Sequence, residues 1–276
     1  TWTQIGSDFD GADVVSLSSD GSVVAVVESH SGIGIYKNVN NTWTQIGSDI
    51  SGESYYDPFN KVSLSSDGSV VAIGSPSTRG NQYHSYQGNR PNGYVRILKN
   101  VNNTWTQIGS DIDGEATGDE SGRSVSLSSD GSVVAIGAPY NDGNGNDSGH
   151  VRIYKNVNDT WTQVGSDIDG EAAADYSGET VSLSSDGSVI AIGASGNDGN
   201  GSDRGHVRVY QIDLDNSSPT TLSDLEALQY IASNPDLISA FSINTSAAAA
   251  HYINHGQSEG RSLTSFSATD YLAKYS

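Results

Sequence analysis

One phrase, Ser-Leu-Ser-Ser-Asp-Gly, occurs four times in this 276-residue chain, at residues 16–21, 63–68, 126–131 and 182–187. A second, Trp-Thr-Gln-(Ile/Val)-Gly-Ser-Asp, begins at Trp2, Trp43, Trp105 and Trp161 and accounts for every tryptophan. Asp20, Asp67, Asp130 and Asp186 follow one another at 47, 63 and 56 residues. Self-similarity at such a period belongs to solenoids and propellers, in which one supersecondary unit is stacked on copies of itself.

The third unit shows what that supersecondary structure is. Residues 124–128 alternate as a short strand, and Ser129, Asp130 and Gly131 make a turn in which glycine supplies positive φ. Residues 133–138 are almost continuously apolar, as in a strand buried on both faces. Residues 150–155 alternate again, 156–159 turn, and 160–164 form a fourth strand. Four short antiparallel strands per repeat is a propeller blade. The 32 glycines support many tight turns over long helices.

The fold expected is therefore mainly β, a four-bladed β-propeller over residues 1–212. Residues 2–9 are a fourth strand with no blade before them, and residues 206–212 a third strand with none after. Pairing the two closes the ring and removes an open sheet edge. Residues 213–221 then read as a linker rich in Asp, Asn, Ser, Pro and Thr. Residues 222–276 read as a small α-helical C-terminal module. Ser223 with Glu226 forms a capping box there, and Tyr230 and Tyr271 mark two copies of one motif. The chain starts inside a repeat without an initiator Met, and is expected to be a processed product or a piece of a longer precursor.

The sequences Ser121-Gly122-Arg123-Ser124-Val125, then 134–139, then Gly149-His150-Val151-Arg152-Ile153-Tyr154 resemble the FG-GAP repeats of integrin α-chain propellers. The likeness covers about residues 1–212. It implies an adhesion or ligand-binding domain, extracellular or at the cell surface. Two departures matter. The family's Phe-Gly pair stands here as Ser-Gly, at 121–122 and 177–178. Its calcium loop between the first two strands is shortened to Ser-Ser-Asp-Gly, so that calcium site does not carry over. The tail, with Tyr230-Ile231-Ala232-Ser233-Asn234-Pro235, His251-Tyr252-Ile253 and Glu259-Gly260-Arg261, resembles a helical repeat of large secreted bacterial proteins.

Charge and composition exclude some partners. The formal net charge is −20, which opposes nucleic acid, whose binding requires Lys and Arg at phosphates. There is no apolar run of 18 residues, so no membrane insertion is expected. Without cysteine there are no disulfides, thiolate metal sites or cysteine nucleophiles.

Two acidic patterns recur. One follows the Trp strand: Asp111, Asp113, Glu115 and Asp119, then Asp167, Asp169, Glu171 and Asp175. The other is Asp142, Asn144, Asn146 and Asp147, matched by Asp198, Asn200 and Asp203. Alternating oxygens on a Gly-rich turn suit calcium. They equally suit polar turns that use Asn, Asp and Gly for their backbone preferences. His150 with Arg152, and His206 with Arg208, share a face of a third strand, either to contact a ligand or to pair between blades. No phosphate loop is present.

The largest departure from the repeat is the insert at residues 76–93, which carries Arg79, Tyr83, His84, Tyr86 and Arg90. Tyr and Arg dominate binding hot spots, so this is the candidate recognition loop. The function expected is a secreted, non-catalytic module that engages an extracellular glycan or protein, or copies of itself. The alternative is an accessory domain of a larger secreted hydrolase.

Overall fold

The structure, a computed structural model, describes residues 1–28, 32–51, 61–76, 92–199, 201 and 204–214. The chain divides into two compact units, Thr1–Leu214 and Asp215–Ser276. The second lies outside the described residues, and with it the expected helical module and most of the linker.

Among the described residues every regular element is a β-strand. Sheet 1 runs in chain order through β1 (Ala12–Leu17), β2 (Val23–Glu28), β3 (Gly32–Val39) and β4 (Thr42–Gln45). Sheet 2 is β5 (Lys61–Leu64), β6 (Val70–Ser75), β7 (Tyr94–Val101) and β8 (Thr104–Gln107), with β9 (Ile112–Asp113) also on β7. Sheet 3 repeats this as β10 (Ser124–Leu127), β11 (Val133–Ala138), β12 (His150–Val157) and β13 (Thr160–Gln163), with β14 (Ile168–Asp169) on β12. Sheet 4 has three strands, β15 (Ser177–Leu183), β16 (Val189–Ala194) and β17 (His206–Gln211).

The Ser-Leu-Ser-Ser-Asp-Gly phrase builds the first hairpin of each sheet, and an Asn-led pair turns the third strand into the fourth in sheets 1–3. In the Ser-Leu-Ser-Ser-Asp-Gly turn of sheet 3, the Ser128 hydroxyl donates to Asp130 Oδ1 at 2.7 Å and accepts from Val133 N–H at 2.9 Å. Gly131 closes the turn at φ 71°. The third and fourth strands are joined by Asn-Asn or Asn-Asp pairs with both residues left-handed: Asn40 and Asn41 (φ 52° and 63°), Asn102 and Asn103, Asn158 and Asp159. Two consecutive positive φ values make the turn whose twist matches a hairpin.

The turn carboxylates give an acid-labile contribution to stability. The Ser22 N–H, then the Ser22 and Ser18 hydroxyls, lower Asp20 from 3.8 to about 2. The Ser184 hydroxyl and the Ser188 N–H and hydroxyl do the same for Asp186. A carboxyl depressed in the folded state contributes above its unfolded pKa, and the contribution fades as pH falls through the folded value. Between pH 4 and 2 the wild type is therefore expected to lose stability more steeply than Asp20→Asn/Asp186→Asn. Parallel curves of Tm against pH for the two proteins would show that these bonds contribute nothing.

Among the described residues the core comprises three clusters, one at each junction between consecutive sheets. The first joins Val23, Ala25, Ile33 and Ile35 to Val62, Leu64, Val71 and Ile73. The second joins Val70, Val95 and Ile97 to Leu127, Val134 and Ile136. The third joins Val133, Val151 and Ile153 to Ile190 and Ile192. Each inner sheet is buried on both faces, which explains the apolar runs of β6 and β11, where all six residues are buried. In β16 only alternate residues are.

Two expectations are corrected. Residues 2–9 form no strand and do not pair with β17. They lie against sheet 1 instead: Trp43 Nε1 donates to Ile5 O at 3.0 Å, and Phe9 packs on Tyr36 and Trp43 with ring centroids 4.9 and 5.8 Å away. The four sheets are not closed into a ring. Val15 and Leu17 on β1 are 63% and 58% exposed, and Val207 and Val209 on β17 are 67% and 65% exposed. The second correction concerns the outer strand, which is interrupted. After β8 and β13 the chain bends through Gly109 or Gly165, both at positive φ, and returns as β9 or β14 to the start of the same third strand.

Candidate functional site

The return strands place the first acidic pattern along the outer edge of sheets 2 and 3. Tyr94 pairs with Asp113 and His150 with Asp169. Each pattern begins with a carboxylate held by the Gln four residues earlier: Gln107 Nε2 donates to Asp111 Oδ1 at 2.7 Å, and Gln163 Nε2 to Asp167 Oδ1 at 2.6 Å. Asp111 also takes both arms of Arg96, from Nε at 2.9 Å and from Nη2 at 2.7 Å. The backbone carbonyls of Asp113 and Asp169 accept from Arg152 Nη2 and Arg208 Nη2.

Asp119 and Asp175, the last members, are buried and organise their own loops. Asp119 Oδ2 accepts from Ala116 N–H and from the Asn141 amide, both at 3.0 Å. Asp175 Oδ2 accepts from the Glu171 and Ala172 N–H groups and from the Asn197 amide. Asn141 and Asn197 were not singled out from sequence. Their only sequence signal is one shared position, three residues after the end of the second strand.

The second acidic pattern closes on itself. Asp142 Oδ1 accepts from Asp147 N–H at 2.8 Å and from the Asn146 amide at 3.5 Å. Asn144 turns away and donates to Gly170 O at 2.8 Å. In the matching loop Asn200 and Asp203 lie outside the described residues, and Asp198 is described. Arg79, Tyr83, His84, Tyr86 and Arg90 of the insert also lie outside them.

The fold brings Glu115, His150 and Asp167 together, one ligand atom of each lying within 4.8 Å of the others. His150 Nδ1 stands 3.8 Å from Glu115 Oε2 and 3.6 Å from Asp167 Oδ2. The imidazole is almost fully buried. Burial, reinforced by the Arg152 guanidinium, pushes its pKa below the ordinary value, against the pull of Asp167 and Glu115. A neutral imidazole with two carboxylates is a nitrogen and oxygen donor set that suits zinc better than calcium. Arg152 Nη1, 3.8 Å from Glu115 Oε1, already supplies positive charge there. The His–Glu–Arg part of this arrangement recurs in sheet 4, where His206 Nδ1 lies 3.6 Å and Arg208 Nη1 4.0 Å from Glu171. Each Arg also sits over the Tyr ring of its strand, Arg152 at 5.7 Å from Tyr154 and Arg208 at 5.5 Å from Tyr210.

Protein donors thus engage Asp111, Asp119, Asp142, Asp167 and Asp175. Calcium would compete with these donors for the same carboxylates, so Tm is expected to be the same in chelator and in millimolar calcium. A saturating ligand at a hundredfold excess over Kd would add about 2.7 kcal/mol. A rise of several degrees in calcium would show that the loops release their oxygens to the ion.

Residues 111–154 match the FG-GAP repeat. The FG-GAP match begins at the return strand β9 and ends in β12, so it spans the junction of sheets 2 and 3. It contains Ser121-Gly122, whose backbone crosses that of Gly74, and the His150–Arg152 pair. No curated protein matches the chain. Among solved structures, a Bacteroides fragilis protein named as a candidate 6-phosphogluconolactonase superposes with a TM-score of 0.40 at 15% identity. The alignment covers 58% of this chain, which spans 39% of that structure.

Proposed function

We propose that this chain is a non-catalytic binding module of the extracellular space or cell surface, an adhesion-type assembly of propeller blades that engages a glycan or protein or copies of itself. The observation that carries the reading is repetition. The FG-GAP match covers one repeat length across the junction of sheets 2 and 3, while the Ser-Asp-Gly hairpins recur in all four sheets and the Trp contacts in sheets 1–3. The most enzyme-like cluster, His with Glu and Arg, also recurs in two successive units at nearly the same distances. A group built twice by the repeat serves the scaffold. Specificity then belongs to what departs from it, above all the insert.

Tyr83, Tyr86 and Arg90 supply contact area and directed hydrogen bonds in an otherwise acidic protein. Replacing all three by Ala is expected to leave Tm unchanged and to reduce binding on a glycan array, or on an array of extracellular matrix proteins, at least tenfold. Undiminished binding by the triple variant would move the recognition surface to the Asn/Asp/Gly loops at 142–147 and 198–203. Failure of the wild type to retain any ligand on either array would count against the ligand-binding arm of the reading.

A further inference from the structure

The three junctions between sheets are built by one set of contacts, and the two end sheets each present one half of that set. At every junction a backbone N–H of one sheet donates to a carbonyl of the next: Ser19 to Ser66 O, Ser66 to Ser129 O, Ser129 to Ser185 O, at 2.8–2.9 Å. At every junction a serine hydroxyl accepts from a leucine N–H of the next sheet: Ser16 from Leu64, Ser63 from Leu127, Ser126 from Leu183, at 2.9–3.0 Å. At every junction a valine abuts the turn glycine of the next sheet. A Cβ on Gly68 would meet Val23 at 2.6 Å, one on Gly131 would meet Val70 at 2.8 Å, and one on Gly187 would meet Val133 at 3.0 Å.

Sheet 4 carries the outgoing half of this set: Ser185 N–H, Ser182 Oγ and Val189. Sheet 1 carries the incoming half: Ser19 O, Leu17 N–H and Gly21, beside which nothing lies within 4 Å. The apolar groups tell the same story. Val207 and Val209 are 67% and 65% exposed, whereas their counterparts Val95, Ile97, Val151 and Ile153 are at most 4% exposed. Leu17 is 58% exposed, and its counterparts Leu64 and Leu127 are 8% exposed.

The segment that leads into sheet 1 already occupies the place of a preceding outer strand. Trp43 Nε1 donates to Ile5 O as Trp105 Nε1 donates to Ile46 O and Trp161 Nε1 to Ile108 O. Sheet 4 has no outer strand among the described residues. By the register of β12 with β13, in which Tyr154 faces Gln163, Lys155 faces Thr162 and Asn156 faces Trp161, the partners of Tyr210, Gln211 and Ile212 would be Gln4, Thr3 and Trp2. Trp2 is fully exposed.

The geometry points to a second copy of this chain as the occupant. Sheet 4 of one copy docks on sheet 1 of the next, and residues 2–4 of that next copy become the outer strand of the first copy's sheet 4. The contact continues the internal junction by one step. It deepens the self-assembly arm of the function proposed above and rests on it for its purpose alone. Because it joins two different surfaces it is heterologous, and repetition gives a ring or a filament according to the rotation per copy. Added-strand pairing supplies main-chain hydrogen bonds, and the valine and leucine faces supply the apolar area.

The test uses the full chain and two variants, one for each end. Val207→Asp/Val209→Asp disables the sheet 4 end, and Val15→Asp/Leu17→Asp the sheet 1 end. Light scattering across a concentration series is expected to show oligomers for the wild type and monomers for each variant. Circular dichroism should be unchanged, since both sites are exposed. Mixing the two variants leaves one intact surface of each kind, so the mixture is expected to form heterodimers and stop there. A covalent check uses Gln211→Cys mixed with Thr3→Cys. The chain has no cysteine of its own, and a disulfide should link one variant to the other under mild oxidation.

A monomeric wild type at its highest soluble concentration would overturn the proposal. So would variants that still assemble, or a mixture that stays monomeric. A monomer that nonetheless binds on the arrays would overturn this contact and leave the binding-module reading intact. Heterodimers from a protein that retains no array ligand would uphold the contact and remove the ligand-binding arm.

Discussion

Gly137→Ala is expected to destabilise the protein by about 3 kcal/mol or more, at the upper end of what overpacking costs. Gly137 is the penultimate residue of β11 and has an ordinary extended backbone, so torsional strain is not the reason. The reason is that the next sheet passes directly over it. A Cβ on Gly137 would fall inside the contact distance of the Gly178 carbonyl oxygen and of Ser124 Oγ. Gly178 is locked in turn, at φ 89°, with a Cβ of its own 2.5 Å from His150 O. Gly74 and Gly122 cross in the same way at the preceding junction. Neither backbone can retreat without opening a junction that buries Val133, Val151 and Ile190.

Gly193 is the matching residue in sheet 4 and provides the control. A Cβ there meets Thr180 Oγ1, the end of a side chain that can rotate, and among the described residues no following sheet crosses it. Gly193→Ala should cost less than about 1 kcal/mol. Urea unfolding of the two variants measures the difference. Equal midpoints would show that the sheets do not approach as closely as described.

Asp111→Ala is expected to cost about 3 kcal/mol, the range for removing one partner of a buried pair. Its side chain is 4% exposed and that of Arg96 13%, so the guanidinium would lose its two-point acceptor where water cannot fully replace it. Arg96 also stacks over Tyr94, 5.3 Å from the ring centroid, which holds it in place after the loss. Replacing both partners, as in Arg96→Met/Asp111→Leu, is expected to recover most of the stability, because the double variant leaves no buried charge behind. A double variant no better than Asp111→Ala alone would mean that the aspartate acts through Gln107 and the strand return rather than through Arg96.

The strands, hairpins and four-fold organisation were legible in the sequence because they depend on neighbours a few residues away. Turn chemistry in Ser-Leu-Ser-Ser-Asp-Gly, paired left-handed Asn residues and alternation of apolar side chains all act within one unit. The binding of Asp111 and Asp167 by Gln107 and Gln163 was legible in principle too, since the Gln-to-Asp interval is fixed in each Trp phrase. The Ser-Gly pair, where FG-GAP repeats carry Phe-Gly, was visible in the sequence. Its purpose, letting two backbones cross, emerges only where one sheet stacks on the next.

The return strands β9 and β14 were missed because two residues carry no periodicity. Their identity as strands comes from hydrogen bonds to β7 and β12 across a bend. The clustering of Glu115, His150 and Asp167 was likewise invisible. These residues belong to different segments of the chain, and only the stacking of one sheet on the next brings them together.

Ring closure is not a local property of the chain. An unpaired strand at one end and a vacant edge at the other match on paper whatever lies between them. Whether they meet depends on the rotation from each sheet to the next, which is set by the glycine crossings, the Ser–Leu bonds and the Val–Gly contacts at three junctions together. Those contacts leave Val207, Val209, Val15 and Leu17 exposed. The sequence alone determined the repeating unit. The tertiary structure decided how the units stack and that four of them leave complementary ends, because that outcome is a sum over junctions and no single stretch of residues encodes it.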